Sequence, residues 1–248
     1  MPRRRGRRSS PSPPPITTPT TFSDNLPLPA LLVFDLDYTL WPFWVDTHVG
    51  PPLRASPAPD RGKAMCDAYG ESFAFYRDVP AVLGAAHARG LALGCASRTG
   101  ASDLAREMLR GLIIEVPHHH PHRQNTTTAD LAGEQAGAQN DAGPRPLEQT
   151  ATATATTTKA VPAIDLFAHL HIYPGSKVGH FRRIQAATRR AGAEIAFSDM
   201  LFFDDEPRNR DVEAELGVPI WLVRDGLTAH EVDRAVWEWR RRQGLGAG

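Results

Sequence analysis

Five short apolar runs punctuate the chain, at 30–36, 91–96, 169–173, 199–203 and 218–223, and each is bounded by turn-forming or acidic residues. Runs of this length and setting predict β-strands. Between them the apolar positions recur at helical spacing, which predicts helices over 78–89, 101–111, 176–191, 207–216 and 228–242. Strand followed by helix, repeated, argues for an α/β fold with a mostly parallel sheet covered on both faces and ligands bound at the carboxyl ends of the strands.

Two stretches break this alternation. The start, MPRRRGRRSSPSPPP, holds five arginines and no acidic residue before Asp24, and its prolines at 11, 13, 14 and 15 forbid a continuous helix. Residues 1–28 are therefore expected to form a disordered Arg/Pro-rich tail. A solvated tail is the leading account; a nuclear-import or nucleic-acid patch and a transit peptide are the alternatives. The second stretch, 116–161, runs from HHHPH through Gly, Gln and Asn into TATATATTTKA and has too few large apolar side chains to order itself. It reads as a disordered His/Thr/Ala-rich insertion. His118, His119, His120 and His122 offer imidazoles to a transition metal, but no acidic or cysteine partner is fixed beside them, and ordinary low complexity accounts for the run.

Roughly 170 residues remain, enough for one well-buried core, placed at 29–243 with the insertion inside it. Basic and acidic residues balance at 28 each. Cys66 and Cys95 lie in different elements and supply neither a disulfide framework nor a zinc spacing, which implies a reducing compartment. No apolar run approaches the ~18 residues of a membrane span, and no signal peptide opens the chain. A cytoplasmic protein is expected, with nuclear import as the open alternative and no membrane partner.

The chemistry gathers where the apolar runs end. LLVFDLDYTLWP places Asp35 and Asp37 directly after the first run, on the same side of an emerging strand because alternate side chains share a face. One carboxylate can attack while the other handles protons, provided its pKa is raised. The plain alternative is that both cap the following turn. Further along, LALGCASRT ends in Ser97, Arg98 and Thr99, YPGSKVGHF places Lys177 in the first turn of a helix, and DMLFFDDEPRN runs into Asp204, Asp205 and Glu206. Phosphate requires donors and a hard cation requires carboxylates; the chain supplies both at separate strand ends.

In order, LLVFDLDYTLWPFWVDTHVGPP, DVPAVLGAAHARG, ASRT, IYPGSKVGHF and FFDDEPRN resemble the magnesium-dependent phosphatases of the haloacid dehalogenase superfamily. The resemblance covers most of 29–115 and 162–230. It implies Asp35 as nucleophile and Asp37 as general acid and base. It also implies Leu36, Ser97, Arg98 and Lys177 around the phosphoryl group, and Asp35, Asp37, Asp204 and Asp205 around Mg2+. Of the neighbouring pair Asp205 is favoured as the metal ligand, with Asp204 behind it orienting Lys177 or a metal-bound water. Asn209 resembles a loop brace, with a turn cap as its alternative. The implied substrates are phosphotyrosine, phosphorylated sugars or glycated amines, borne by a small molecule or a phosphoprotein.

Residues 41–77 leave room for only a small loop region, so the cap is small or absent and the site open. Trp41, Phe43 and Trp44, with Pro42, either rim the pocket or pack in the core. A dehalogenase would not need Asp37, a sugar phosphomutase would bring a helical lid, and a receiver domain places its acidic pair before its phosphoacceptor. The reading from another class is a catalytically silent phosphoprotein-binding module on the same fold. The expected partner is the phosphorylated substrate, with nucleic acid disfavoured and a monomer favoured.

Overall fold

The computed structural model describes residues 16–118 and 157–245. In chain order the elements are β1 (Leu31–Phe34), α1 (Val45–His48), β2 (Arg54–Ala55), β3 (Ala64–Cys66), β4 (Ser72–Ala74), α2 (Val79–Ala88), β5 (Ala92–Ser97), α3 (Ser102–Gly111) and β6 (Ile113–His118). They continue with β7 (Thr157–Pro162), β8 (His169–Ile172), α4 (Lys177–Arg190), β9 (Met200–Asp204), α5 (Asp211–Leu216), β10 (Ile220–Leu222) and α6 (Ala229–Arg242). The central sheet has the order β10-β9-β1-β5-β8, and every pairing in it is parallel.

Two apolar faces cover this sheet. Leu32 and Phe34 of β1, with Leu93, Cys95, Leu201 and Phe203, pack against α2, α3 and α6. Leu31 and Val33, with Met200, Phe202 and Ile220, pack against Val178, Phe181 and Ile184 of α4 and Val212 of α5. Burying β1 on both sides requires its continuous apolar sequence. The helices start where their sequences can satisfy free N–H groups. Ser176 accepts from Val178 N at 3.2 Å, and Thr228 and Glu231 cap α6 reciprocally.

Strand order positions the site. The chain leaves β1 for β5 and β8, then returns to the other side of β1 as β9, so the direction of winding reverses beside β1. Crevices form at such reversals, at the carboxyl ends of the strands. Register aligns Phe34 with both Cys95 and Phe203, so Asp35 and Asp204, one step further, emerge at the same level.

The structure corrects several expectations. The helix predicted over 207–216 divides into a 3-10 turn, Pro207–Arg210, and α5, because Asp204 accepts from Glu206 N and Asn209 Nδ2 and holds the chain in a tight bend. Part of the expected tail is ordered. Thr20–Phe22 forms a turn tied down by Asp233, which accepts from Thr20 N and Thr21 N, and the buried guanidinium of Arg240 binds Asp24 and the Pro27 carbonyl. Residues 41–77 hold more than a loop: β2, β3 and β4 make a small antiparallel sheet, and β3 packs on α3.

The ends of the expected insertion are ordered too. β6 and β7 pair from Ile113↔Pro162 to His118↔Thr157, with Ile114 and Val116 buried and Glu115 outward. This ribbon packs on α2 so closely that a Cβ at Gly84 would stand 2.8 Å from the Glu115 carbonyl. The rest of the expected tail, 1–15, and of the expected insertion, 119–156 with His119, His120 and His122, lies outside the described residues, as does the side chain of His118.

Candidate active site

At the carboxyl end of β1 the backbone turns sharply. The Leu36 carbonyl accepts from the N–H groups of Thr39, Leu40 and Trp41, and Tyr38 adopts φ 53°, in the left-handed region that bulky side chains avoid. This turn fixes both carboxylates. Asp35 is buried at the floor of a cleft, while Asp37 is anchored through Oδ1, which accepts from Trp41 Nε1 at 2.7 Å and from Val45 N at 3.2 Å. The Leu36 side chain is fully buried in the core, so only its backbone can face the site beside Asp35.

From the helix side, Lys177 enters through the first turn of α4. It is buried, with Nζ 2.9 Å from Asp35 Oδ1 and also bonded to Asp204 Oδ2. Burial alone would pull its ammonium down in pKa, but Asp35 and Asp204 outweigh that and hold it charged. Asp204 is enclosed and fully engaged, since it also accepts from Asn209 Nδ2 and Glu206 N. Asn209 in turn accepts from Arg98 Nη1 at 3.3 Å, linking the phosphate-binding and acidic segments. Ser97 is buried at the end of β5, and its Oγ accepts from Thr99 N.

These groups converge on one cleft of about 380 Å³, lined by Asp35, Asp37, Ser97, Arg98, Thr99, Lys177 and Asp205 at its floor and walls. Trp44, Asp46, Thr47, Glu206 and Arg208 form its lip. Asp35, Asp37, Ser97, Arg98, Thr99, Lys177, Asp205 and Glu206 are thus brought together as the sequence suggested, with Asp204 and Asn209 directly behind the wall. Of the aromatic candidates, Trp41 and Phe43 are core residues stacked on each other, and only Trp44, 49% exposed, faces the cleft. Asp46 and Thr47 were not anticipated. They arrive on α1, a single helical turn marked in the sequence only by an acid at its start and a histidine at its end.

Negative charge exceeds positive charge here. Asp35, Asp204 and Asp205 each place one oxygen within 4.8 Å of the others. Burial pushes Asp35 up to about 8 against the pull of Lys177. Burial, together with the charges of Asp204 and Glu206, pushes Asp205 up to about 6. Burial likewise raises Asp37 to about 6, against its bonds from Trp41 and Val45. An all-oxygen set short of cations fits a hard divalent ion. Because Asp204 already serves Lys177 and Asn209, Asp205 is the member of the pair with oxygens free toward the cleft.

The profile of a family described as acid phosphatase matches residues 27–242. An HAD-like hydrolase superfamily protein of Schizosaccharomyces pombe is 33% identical over 194 residues, which cover 78% of this chain and 85% of that one. Magnesium-dependent phosphatase 1 of Homo sapiens is 32% identical over 216 residues, covering 87% of this chain and 90% of the relative.

Proposed function

This chain belongs to the acid phosphatase family of haloacid dehalogenase-like hydrolases, and on that premise we propose a magnesium-dependent phosphomonoesterase that works through an aspartyl-phosphate on Asp35. One observation carries this reading: the Asp35 carboxylate lies on the floor of the cleft between a buried ammonium and a second carboxylate, with a proton carrier two residues away.

In the first step an Asp35 oxygen attacks phosphorus as the bond to the leaving oxygen breaks, and Asp37 gives that oxygen its proton. Burial keeps Asp37 at about 6, high enough to carry a proton near neutral pH, and the Trp41 indole aims it. In the second step Asp37 takes a proton from water, the hydroxide attacks phosphorus, and inorganic phosphate leaves with Asp35 restored. Lys177, Arg98, the Ser97 hydroxyl and the Leu36 N–H surround the transferring group, and Asn209 positions Arg98 and Asp204. Oxygens of Asp35 and Asp205 would hold a magnesium ion, which would supply the charge neutralisation that an anionic ester needs to approach an anionic nucleophile.

The lip supports a substrate class. No residue of the small sheet lines the cleft among the described residues, so the cleft is uncovered and a bulky leaving group has room. Trp44 stands at its edge, stacked on His48 at 5.6 Å and met edge-on by Tyr38 at 5.1 Å, a fixed aromatic plate for a planar leaving group. We take phosphotyrosine-type esters as the preferred substrates. Asp35→Asn tests the mechanism: the variant should release no phosphate from p-nitrophenyl phosphate, because an amide cannot form the acyl phosphate. Turnover like that of the wild type would reject Asp35 as nucleophile.

A further inference from the structure

Beyond Asp205 the catalytic cleft continues into a groove of about 700 Å³ that runs along β10, the edge strand of the central sheet. Asp205 lines both hollows, so the groove begins where the phosphate site ends. It is walled by Arg210, Arg224, Arg234 and Arg242 and floored by Trp221. A further hollow follows past Trp221 and Arg234 to Trp237 on α6, which is 58% exposed.

Beyond Asp205, the acids along this path are already committed. Glu238 binds Arg241 and Arg242, Glu231 closes the capping box of α6, and Asp233 holds Thr20 and Thr21. Arg210 and Arg242 share Glu213. Arg224 and Arg234 are exposed and form no ion pair among the described residues. Arg234 lies 5.2 Å over the Trp221 ring, which steadies a guanidinium that would otherwise sweep through solvent. The Trp221 indole N–H is buried and has no acceptor among the described residues.

We infer that this groove docks the acidic flank of a phosphorylated polypeptide whose phosphorylated side chain enters the catalytic cleft, an inference that rests on the phosphatase reading above. An edge strand offers backbone donors and acceptors to a second extended chain, which a small metabolite cannot exploit. Two unpaired arginines meet carboxylates at set positions, and they select acidic residues near the phosphorylation site.

The test compares three substrates of the full chain: p-nitrophenyl phosphate, a phosphotyrosine peptide flanked by Asp and Glu, and the same peptide with Asn and Gln in their place. Wild type should favour the acidic peptide by about tenfold in kcat/KM at low salt, an advantage that shrinks as salt screens it. Arg224→Glu with Arg234→Glu should erase that preference through KM, leave p-nitrophenyl phosphate within about twofold, and favour a Lys-flanked peptide instead. Equal handling of acidic and neutral peptides by wild type, or an equal loss on all substrates in the double variant, would overturn the groove. Failure of the phosphatase reading looks different, with wild type leaving p-nitrophenyl phosphate intact. Fluorescence anisotropy of the labelled acidic peptide on Asp35→Asn then decides the groove alone. Binding abolished by the double reversal supports it, and no binding, or binding indifferent to the arginines, refutes it.

Discussion

Replacing Lys177 by Met separates the two jobs this ammonium does. In the fold it neutralises buried carboxylates: its Nζ is 2.9 Å from Asp35 Oδ1 and bonded to Asp204. At an effective dielectric of about 20, an attraction over 2.9 Å is worth about 6 kcal/mol before the cost of burying both charges. Removing one partner of such a pair costs about 3–5 kcal/mol, which lowers the melting temperature by roughly 10 °C in a domain of this size. In catalysis the same charge meets the phosphoryl group, and its loss should cost roughly 10²–10³ in rate, as for a single oxyanion donor. The two losses respond oppositely to pH. Without the ammonium, the pKa of Asp35, already raised to about 8, rises further above its unfolded value. A carboxyl raised in this way is most favourable to the fold while protonated, and its contribution is lost as pH climbs from about 4 toward its folded pKa. Both proteins lose this contribution alike up to about pH 7, so Lys177→Met should fall further below wild type only between about pH 7 and 9, whereas its residual turnover should rise over that range as the nucleophile ionises. Thermal melts and phosphate release measured at both ends test this. A variant keeping more than a tenth of wild-type turnover, or one with an unchanged melting temperature, would refute the placement of Lys177 between the carboxylates.

Other consequences follow from the same geometry. Asp37→Asn should slow alkyl phosphates far more than p-nitrophenyl phosphate, because a good leaving group needs no proton; steady-state kinetics showing equal losses would remove Asp37 from the acid role. EDTA should silence phosphate release and magnesium restore it, while calcium restores it poorly because its larger, looser shell misplaces the substrate. Undiminished turnover in EDTA would count against any metal at Asp35 and Asp205. Gly84→Ala should lower the melting temperature, at a cost of about 1–3 kcal/mol, despite alanine's better helix propensity, since the new methyl meets the Glu115 carbonyl at 2.8 Å. Its turnover at 25 °C should match wild type, because the clash is remote from the cleft.

What was legible in the chain was whatever depends on local order. The five strands of the central sheet fall within two residues of their predicted bounds: β1, β5 and β9 are buried nearly throughout and so read as apolar runs, while the half-buried edge strands β8 and β10 are short runs bounded by turn residues. Their carboxyl ends carry the chemistry, so Asp35, Ser97 and Asp205 were readable as well. The small sheet was not. β2, β3 and β4 are two or three residues long, and their stability comes from packing such as Met65 beneath α3, which no local periodicity records. β6 hides for a related reason: its alternation of Ile114 and Val116 is only two buried positions long and runs straight into histidines.

The split between Trp41 and Trp44 shows where sequence pattern runs out even inside a well-marked motif. Three residues apart, they do opposite things. Trp41 lies in the core and spends its indole N–H on Asp37, while Trp44 stands half exposed at the lip. The difference comes from the left-handed turn at Tyr38 and from the bond that ties Val45 N to Asp37, and both are properties of the folded backbone. The carboxylate proposed to protonate the leaving group is therefore also the anchor of the segment that presents the aromatic plate to that group. Acid strength and leaving-group recognition are coupled through one side chain, so a substitution at Asp37 perturbs both, and Trp44 is the position at which recognition can be altered alone.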